Sequence, residues 1–248
     1  MLIEQSAYAN RWRKASPAAK AFFALCGFVA AFAAPVPQIA AAIAAGLAIV
    51  TVAGAGVPAG RYLRVAAPAL LFLAISCLSL AFSLNLSNEG GGLSMQWAPT
   101  EAGRIAQVGT RSLAALAALL FLVLTTPLID LIALLRRLRV PEVLLELMVL
   151  CYRMLFVFSE AMRDTLTAQS ARLGYASSRL ALRSLGLMAA NLTLQIWQRA
   201  HGLHVAALAR NNDGPLRFIE PTYASARRDM VLAALGGGAL IAISWAFS

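Results

Sequence analysis

Residues 65–86 form a run of 22 residues without one charged side chain. A bilayer hydrocarbon core about 30 Å thick takes about 20 apolar residues to cross as a helix, and a helix pairs its own backbone groups where no water can. The run therefore reads as a membrane span. Four further runs fit the same ruler. Residues 21–34 carry no charge, and Pro17 to Lys20 extend them, with the Lys20 ammonium snorkelling toward the interface before Pro35 and Pro37 break the helix. Residues 39–56 follow, then 112–129 and 230–247, the last two each 18 residues without a charge. Residues 143–159 are also apolar but hold Glu146 and Arg153, and are expected to be embedded without a net crossing.

Composition agrees. Of 248 residues, 60% are hydrophobic and 13% charged, where soluble domains average about 45–50% and about 25%. That excludes an ordinary soluble globular fold. A net charge of +10 would suit a nucleic-acid binder, but such proteins carry their basic residues on a polar surface, so no nucleic-acid partner is expected. The first 20 residues lack the compact apolar region and small-residue cleavage site of a signal peptide.

The charge is instead a record of topology. Arg11, Arg13, Lys14 and Lys20 precede or open the first run, Arg61 and Arg64 lie between the second and third, and thirteen arginines fall from Arg136 to Arg228. With five spans, the positive-inside rule places the N-terminus, residues 55–64 and residues 130–229 in the cytoplasm, so that 19 of 21 basic residues share one side. The exceptions are Arg104 and Arg111. Residues 87–92, rich in glycine, read as an external loop.

Residues 130–229 are too apolar for a soluble domain, yet interrupted by charge. Arg136, Arg137, Arg139 and Val140-Pro141 form a basic interfacial turn, with the proline placed to start a helix. One long helix is expected over 141–173, with an apolar first half, a polar second half and Gly174 as its stop. A second is expected over 179–210. Ser184, Asn191, Gln195 and Gln198 align as a polar stripe on it, and Leu185, Met188, Leu192 and Ile196 as an apolar one. Asn211 to Pro215 end it. Each helix closes on an Ala-Arg pair: Ala171-Arg172-Leu173 and Ala209-Arg210-Asn211. An arginine in the last turn is favoured by the helix dipole and can reach past the end to bind carboxylates or carbonyls bidentately.

Conventional chemistry is sparse. Cys26, Cys77 and Cys151 sit in apolar segments with no Cys-x-x-Cys pattern, which suits packing. His201 and His204, at i and i+3, could hold a metal ion, but their place shortly before Arg210 favours polar packing on a helix surface. No metal or catalytic residue is assigned. Arg153 and Glu146, seven residues apart, are expected to form an ion pair holding the helix to the spans, the alternative being a contact with a partner subunit. There is no GxxxxGK[ST] loop, and the only lysines are Lys14 and Lys20, so no P-loop ATPase is expected in this chain.

Several stretches together resemble one family. They are Leu138-Arg139-Val140-Pro141, Cys151-Tyr152-Arg153 with Phe158-Ser159-Glu160, and Gln169-Ser170-Ala171-Arg172-Leu173-Gly174-Tyr175. The chain resembles the transmembrane T component of energy-coupling factor transporters, in particular the CbiQ family of cobalt uptake systems, over essentially its whole length. The resemblance implies an all-α fold: a polytopic membrane helical bundle with long cytoplasmic coupling helices. Residues 1–129 would be N-terminal transmembrane helices, 130–229 the cytoplasmic or interfacial coupling region, and 230–248 a C-terminal transmembrane helix. It further implies two ABC-type ATPase partners that bind ATP and Mg, a separate substrate-specific membrane subunit, and cobalt(II) as the transported ion.

By that resemblance Ala171, Arg172 and Leu173 would dock in one ATPase subunit, and Ala209, Arg210 and Asn211 in the other. The family usually has glycine where Leu173 and Asn211 stand, and Gly174, one residue late, is placed to take the first turn. The alternative is a conventional ABC permease subunit, which would line the substrate path itself. A membrane enzyme would need converging acids, bases or ligands. A self-sufficient secondary transporter would show repeated halves and charged or broken helices near the midplane, whereas four of the five main spans are charge-free.

Overall fold

The computed structural model describes residues 2–85, 94–97, 102–211, 223 and 225–246. In chain order these form α1 (Leu2–Ala9), α2 (Pro17–Ala33), α3 (Pro37–Ile49) running into a π-turn (Val50–Gly54), and α4 (Ala59–Ala81). Two short strands follow, β1 (Phe82–Asn85) and β2 (Ser94–Trp97). Then come α5 (Ala102–Thr125), α6 (Leu128–Arg137), α7 (Glu142–Ala171), α8 (Ser178–Ala209) and α9 (Ala226–Ala246). The fold is an all-α membrane bundle, and the strands add a small antiparallel ribbon that pairs Phe82 with Trp97 and Asn85 with Ser94. The glycine-rich loop at 87–92, the residues after Asn211 that should end the second long helix, and Phe247 lie outside the described residues.

Among the described residues, four helices are long and apolar enough to cross a membrane: Pro37–Gly54, Ala59–Leu80, Gly103–Thr125 and Ala226–Trp245. The first of the five expected spans, Pro17–Ala33, is apolar but shorter. Two boundaries need correction. The helix assigned to 65–86 begins at Ala59 and yields to a strand at Phe82, so Arg61 and Arg64 lie in its first turns rather than in a loop. The one assigned to 112–129 begins at Ala102 and ends at Thr125, because Pro127 supplies no backbone N–H to continue it. Arg104 and Arg111 are thus inside α5.

Helix ends explain two of the charges found within apolar segments. At the C-terminus of α2, Arg111 of α5 donates from Nη2 and Nε to the Ala34 carbonyl, at 2.8 and 3.3 Å, and Gln107 donates to the Pro35 carbonyl at 3.1 Å. At the C-terminus of α5, Lys20 of α2 donates to the Thr125 carbonyl at 2.9 Å, and so does Asn10. Each helix caps the other. Terminal carbonyls without an intrahelical partner are costly away from water, and cationic donors suit the negative end of a helix dipole.

The chain forms two compact units, residues 1–134 with 221–248, and residues 135–220. The first is built on small residues: Ala30, Ala31, Ala34, Ala40, Ala114, Ala117 and Ala118 pack with Ile43 and Leu47. With no water to expel between helices in lipid, close backbone approach supplies the packing energy. Glycine makes the same contribution where α2 meets α9: a Cβ on Gly237 would stand 2.7 Å from Cys26 Cβ, and one on Gly236 would stand 3.1 Å from the Phe23 ring. Trp12 and Phe23 pack edge-on against Phe121, with ring centroids 6.1 and 5.1 Å away.

The second unit holds the long helices α7 and α8, of 30 and 32 residues. Both begin within one residue of their expected starts. Pro141 occupies the N-cap position of α7, and the Ser177 hydroxyl accepts from the Leu180 N–H to cap α8.

Candidate functional site

The two Ala-Arg pairs occupy equivalent positions. Ala171 and Ala209 are the last residues of α7 and α8, and Arg172 and Arg210 are their C-caps, with φ, ψ of −94°, 16° and −96°, 7°. The following residues, Leu173 and Asn211, both adopt left-handed conformations, with φ of 58° and 51°. Their N–H groups donate to Ser170 and Leu208 carbonyls, each at 3.0 Å. At α7 the Gly174 N–H also donates to the Gln169 carbonyl at 2.9 Å, completing a Schellman turn. The same turn ends α6, where Arg139 has φ of 59° and the Val140 N–H donates to the Leu135 carbonyl.

Leu173, not Gly174, therefore takes the left-handed position, at the motif position where glycine was expected. A left-handed leucine costs about 1–2 kcal/mol relative to a right-handed one, which the two carbonyl-capping bonds offset. Gly174 has a different reason to be glycine. A Cβ there would stand 2.7 Å from the Ser184 hydroxyl and 2.9 Å from the Gln169 carbonyl oxygen.

That close approach builds a hydrogen-bonded elbow between the long helices. The Ser184 hydroxyl donates to the Gly174 carbonyl at 2.9 Å, Gln169 Nε2 donates to the Ser184 carbonyl at 3.0 Å, and the Tyr175 hydroxyl donates to Gln169 Oε1 at 2.8 Å. Sequence patterning placed Ser184 on a polar stripe with Asn191, Gln195 and Gln198. The structure divides that stripe: Ser184 is buried and Gln195 half-buried, while Asn191 and Gln198 are exposed. Of the expected apolar stripe, Met188 and Leu192 are half-buried, and Leu185 and Ile196 are exposed. A tyrosine and glutamine flanking a glycine stop were the signal for the elbow, legible only once the turn is known.

All six motif residues are exposed, with Leu173 at 72%. Each arginine thus joins a fixed cation to the negative end of a long helix, a geometry suited to carboxylates or carbonyls on another surface. Farther from the elbow, Glu160, Asp164 and Thr165 of α7 and Gln195 and Arg199 of α8 line a polar cleft of about 270 Å³. Glu146 is half-buried and Arg153 exposed, both on α7. His201 and His204 are exposed on α8, and among the described residues no group of three or more His, Cys, Asp or Glu could hold a metal ion.

Residues 9–218, which include both long helices and their ends, match the model of the CbiQ family, described as cobalt transport protein. The cobalt transport protein CbiQ of Rhodobacter capsulatus is 36% identical over 219 residues, covering 88% of this chain and 86% of that one. Its counterpart in Salmonella typhimurium is 28% identical over 209 residues, covering 79% and 90%. A putative fused cobalt transport protein CbiMQ of Methanocorpusculum labreanum is 32% identical over 130 residues, 52% of this chain and 22% of that longer one.

Proposed function

The chain belongs to the CbiQ family of cobalt transport proteins, as a multi-pass membrane component of a transporter, and from that premise we propose that it is the coupling subunit of an energy-coupling factor importer. In this reading it catalyses nothing. Two ABC-type ATPase subunits bind ATP and Mg, and a separate membrane subunit captures the cobalt(II) ion. Closure of the ATPase pair moves the ends of α7 and α8, and the long helices transmit that motion to the ion-binding subunit.

The observation that carries the reading is the equivalence of the two helix ends. Two partners of one kind call for two receptors of one kind, and the Arg172 and Arg210 turns share backbone angles to within about 10°. The elbow at Ser184 keeps α7 and α8 in register, so that displacement at one end is not lost at the turn between them. The relative described as a fused cobalt transport protein, CbiMQ, supports a membrane partner for this chain. The clustering of 19 of the 21 basic residues in 11–20, 61–64 and 136–228 supports a cytoplasmic N-terminus and cytoplasmic ends for α7 and α8.

Purification of the tagged chain from membranes in mild detergent, with identification of the proteins that come with it, tests the proposal. ATPases and a small membrane subunit in the same complex are expected. A chain that purifies alone and still drives cobalt uptake in liposomes would overturn it.

A further inference from the structure

Within the first unit, α2, the π-turn, α5 and α9 line an open cavity of about 400 Å³. Its walls are mostly apolar: Trp12, Phe23, Val50, Phe121 and Leu232. Two charged residues also line it, Lys20 and Asp229. All its elements meet there by one end: the start of α2, the start of α9, the end of α5 and the turn that closes α3. Exposed Arg13, Lys14, Arg227 and Arg228 flank those ends in sequence. The cavity thus lies at the level where spans leave the membrane on the basic side.

Lys20 is 4% exposed. Its ammonium has three donors, and the Thr125 carbonyl takes one. Asp130 and Asp229 act on its charge, but among the described residues neither carboxylate bonds to it, so two donors stay open to an anionic group. Asp229 restricts which anion. Its Oδ2 accepts from the Ser16 N–H at 3.0 Å and from the Ser225 hydroxyl at 3.2 Å, fixing a carboxylate in the same cavity. A ligand with a phosphate alone would meet that carboxylate as a like charge. One that carries a phosphate and an ammonium a few atoms apart complements both residues. The apolar walls accept the hydrocarbon that such a molecule brings from the bilayer.

We propose that this cavity binds one glycerophospholipid with a primary-ammonium headgroup, its phosphate at Lys20, its ammonium at Asp229 and an acyl chain along Phe23 and Leu232. The volume lies within the range of about 300–1,000 Å³ typical of small-molecule sites, enough for the headgroup and the first part of one chain. Bound there, the lipid would tie the start of α9 to the start of α2 and the end of α5.

The test uses the full chain, stripped of lipid in detergent and offered an equimolar mixture of phosphatidylethanolamine and phosphatidylglycerol, with native mass spectrometry reporting what stays bound. About tenfold retention of phosphatidylethanolamine over phosphatidylglycerol is expected, a difference of about 1.4 kcal/mol. Asp229→Asn keeps an acceptor for the Ser16 N–H and should reduce the preference to less than twofold. Lys20→Gln should weaken retention of both lipids. Should that variant fail to fold without its bond to Thr125, Asp229→Asn still decides the matter. Equal retention of the two lipids by the unaltered chain, or an undiminished preference in Asp229→Asn, would overturn the proposal. So would glycerophosphoethanolamine, which lacks acyl chains, competing as well as the intact lipid, since the site would then take a soluble phosphoester.

Discussion

Lys20 and Arg111 are reciprocal caps: the ammonium on α2 closes the end of α5 at Thr125, and the guanidinium on α5 closes the end of α2 at Ala34. The pair fixes the register of two antiparallel helices without any contact between the two cations. Arg111→Met should therefore lower stability by about 2 kcal/mol, the scale of a hydrogen bond to a charged group. Arg111→Lys should recover part of the loss. Thermal unfolding in detergent reads both, and an unchanged midpoint in Arg111→Met would show that the Ala34 carbonyl does not depend on this donor.

At the elbow, Gly174→Ala should be poorly tolerated, because a methyl group would press on a backbone carbonyl that cannot move aside as well as on the Ser184 hydroxyl. A cost of about 1–3 kcal/mol is expected for such overpacking. Ser184→Ala removes the hydroxyl and one hydrogen bond at a cost of about 1 kcal/mol. Hydrogen exchange at the end of α7 and the start of α8 should quicken more in Gly174→Ala than in Ser184→Ala.

The left-handed turns make the opposite prediction. Leu173→Gly and Asn211→Gly remove no capping bond, and Leu173→Gly should stabilise its turn by about 1 kcal/mol by relieving the left-handed leucine. Leu173→Val should do the reverse, since a β-branched residue is strained there. Comparing the three variants by thermal unfolding separates backbone strain from side-chain contacts.

The coupling proposal makes its own demand on the arginines. Arg172→Glu or Arg210→Glu should cut cobalt uptake at least tenfold and weaken ATPase association, while the chain still inserts in the membrane. Arg172→Lys and Arg210→Lys keep the charge but lose the planar fork, and should fall between. Normal uptake by both Glu variants would remove these residues from the coupling role.

Where α2 meets α9, Gly237→Ala should cost about 1–3 kcal/mol through its clash with Cys26. Cys26→Gly in the same chain should restore part of that loss, because the space reappears on the other helix. A double-mutant cycle on unfolding midpoints measures the coupling, and additive effects would place the clash elsewhere.

The long helices were legible because their ends carry local signals: Pro141 and Ser177 at the starts, and an arginine followed by a turn at the stops. The membrane helices were legible in place but not in extent. Treating charge as a boundary put Arg61, Arg104 and Arg111 outside the spans, and nothing near Arg111 in sequence announces a carbonyl 77 residues away. The left-handed turn was assigned to Gly174 because glycine is the usual occupant. Leucine gives no mark of such a backbone, so only the geometry moves the turn to Leu173 and shows that Gly174 answers to Ser184 instead. The polar stripe on α8 is continuous in angle but not in burial: periodicity groups residues by direction, and of the four only Ser184 and Gln195 lie against α7.

The outward side of α4 carries Leu63, Leu71, Phe72, Ile75 and Leu78, all exposed on a helix that leans chiefly on α5. Such a helix has its position set as much by the thickness of the surrounding bilayer as by its own protein, because mismatch energy acts where side-chain packing is thin. The same chain should then hold α4 more firmly in one membrane than in another, and the choice of host lipid becomes a variable in any measurement of its stability.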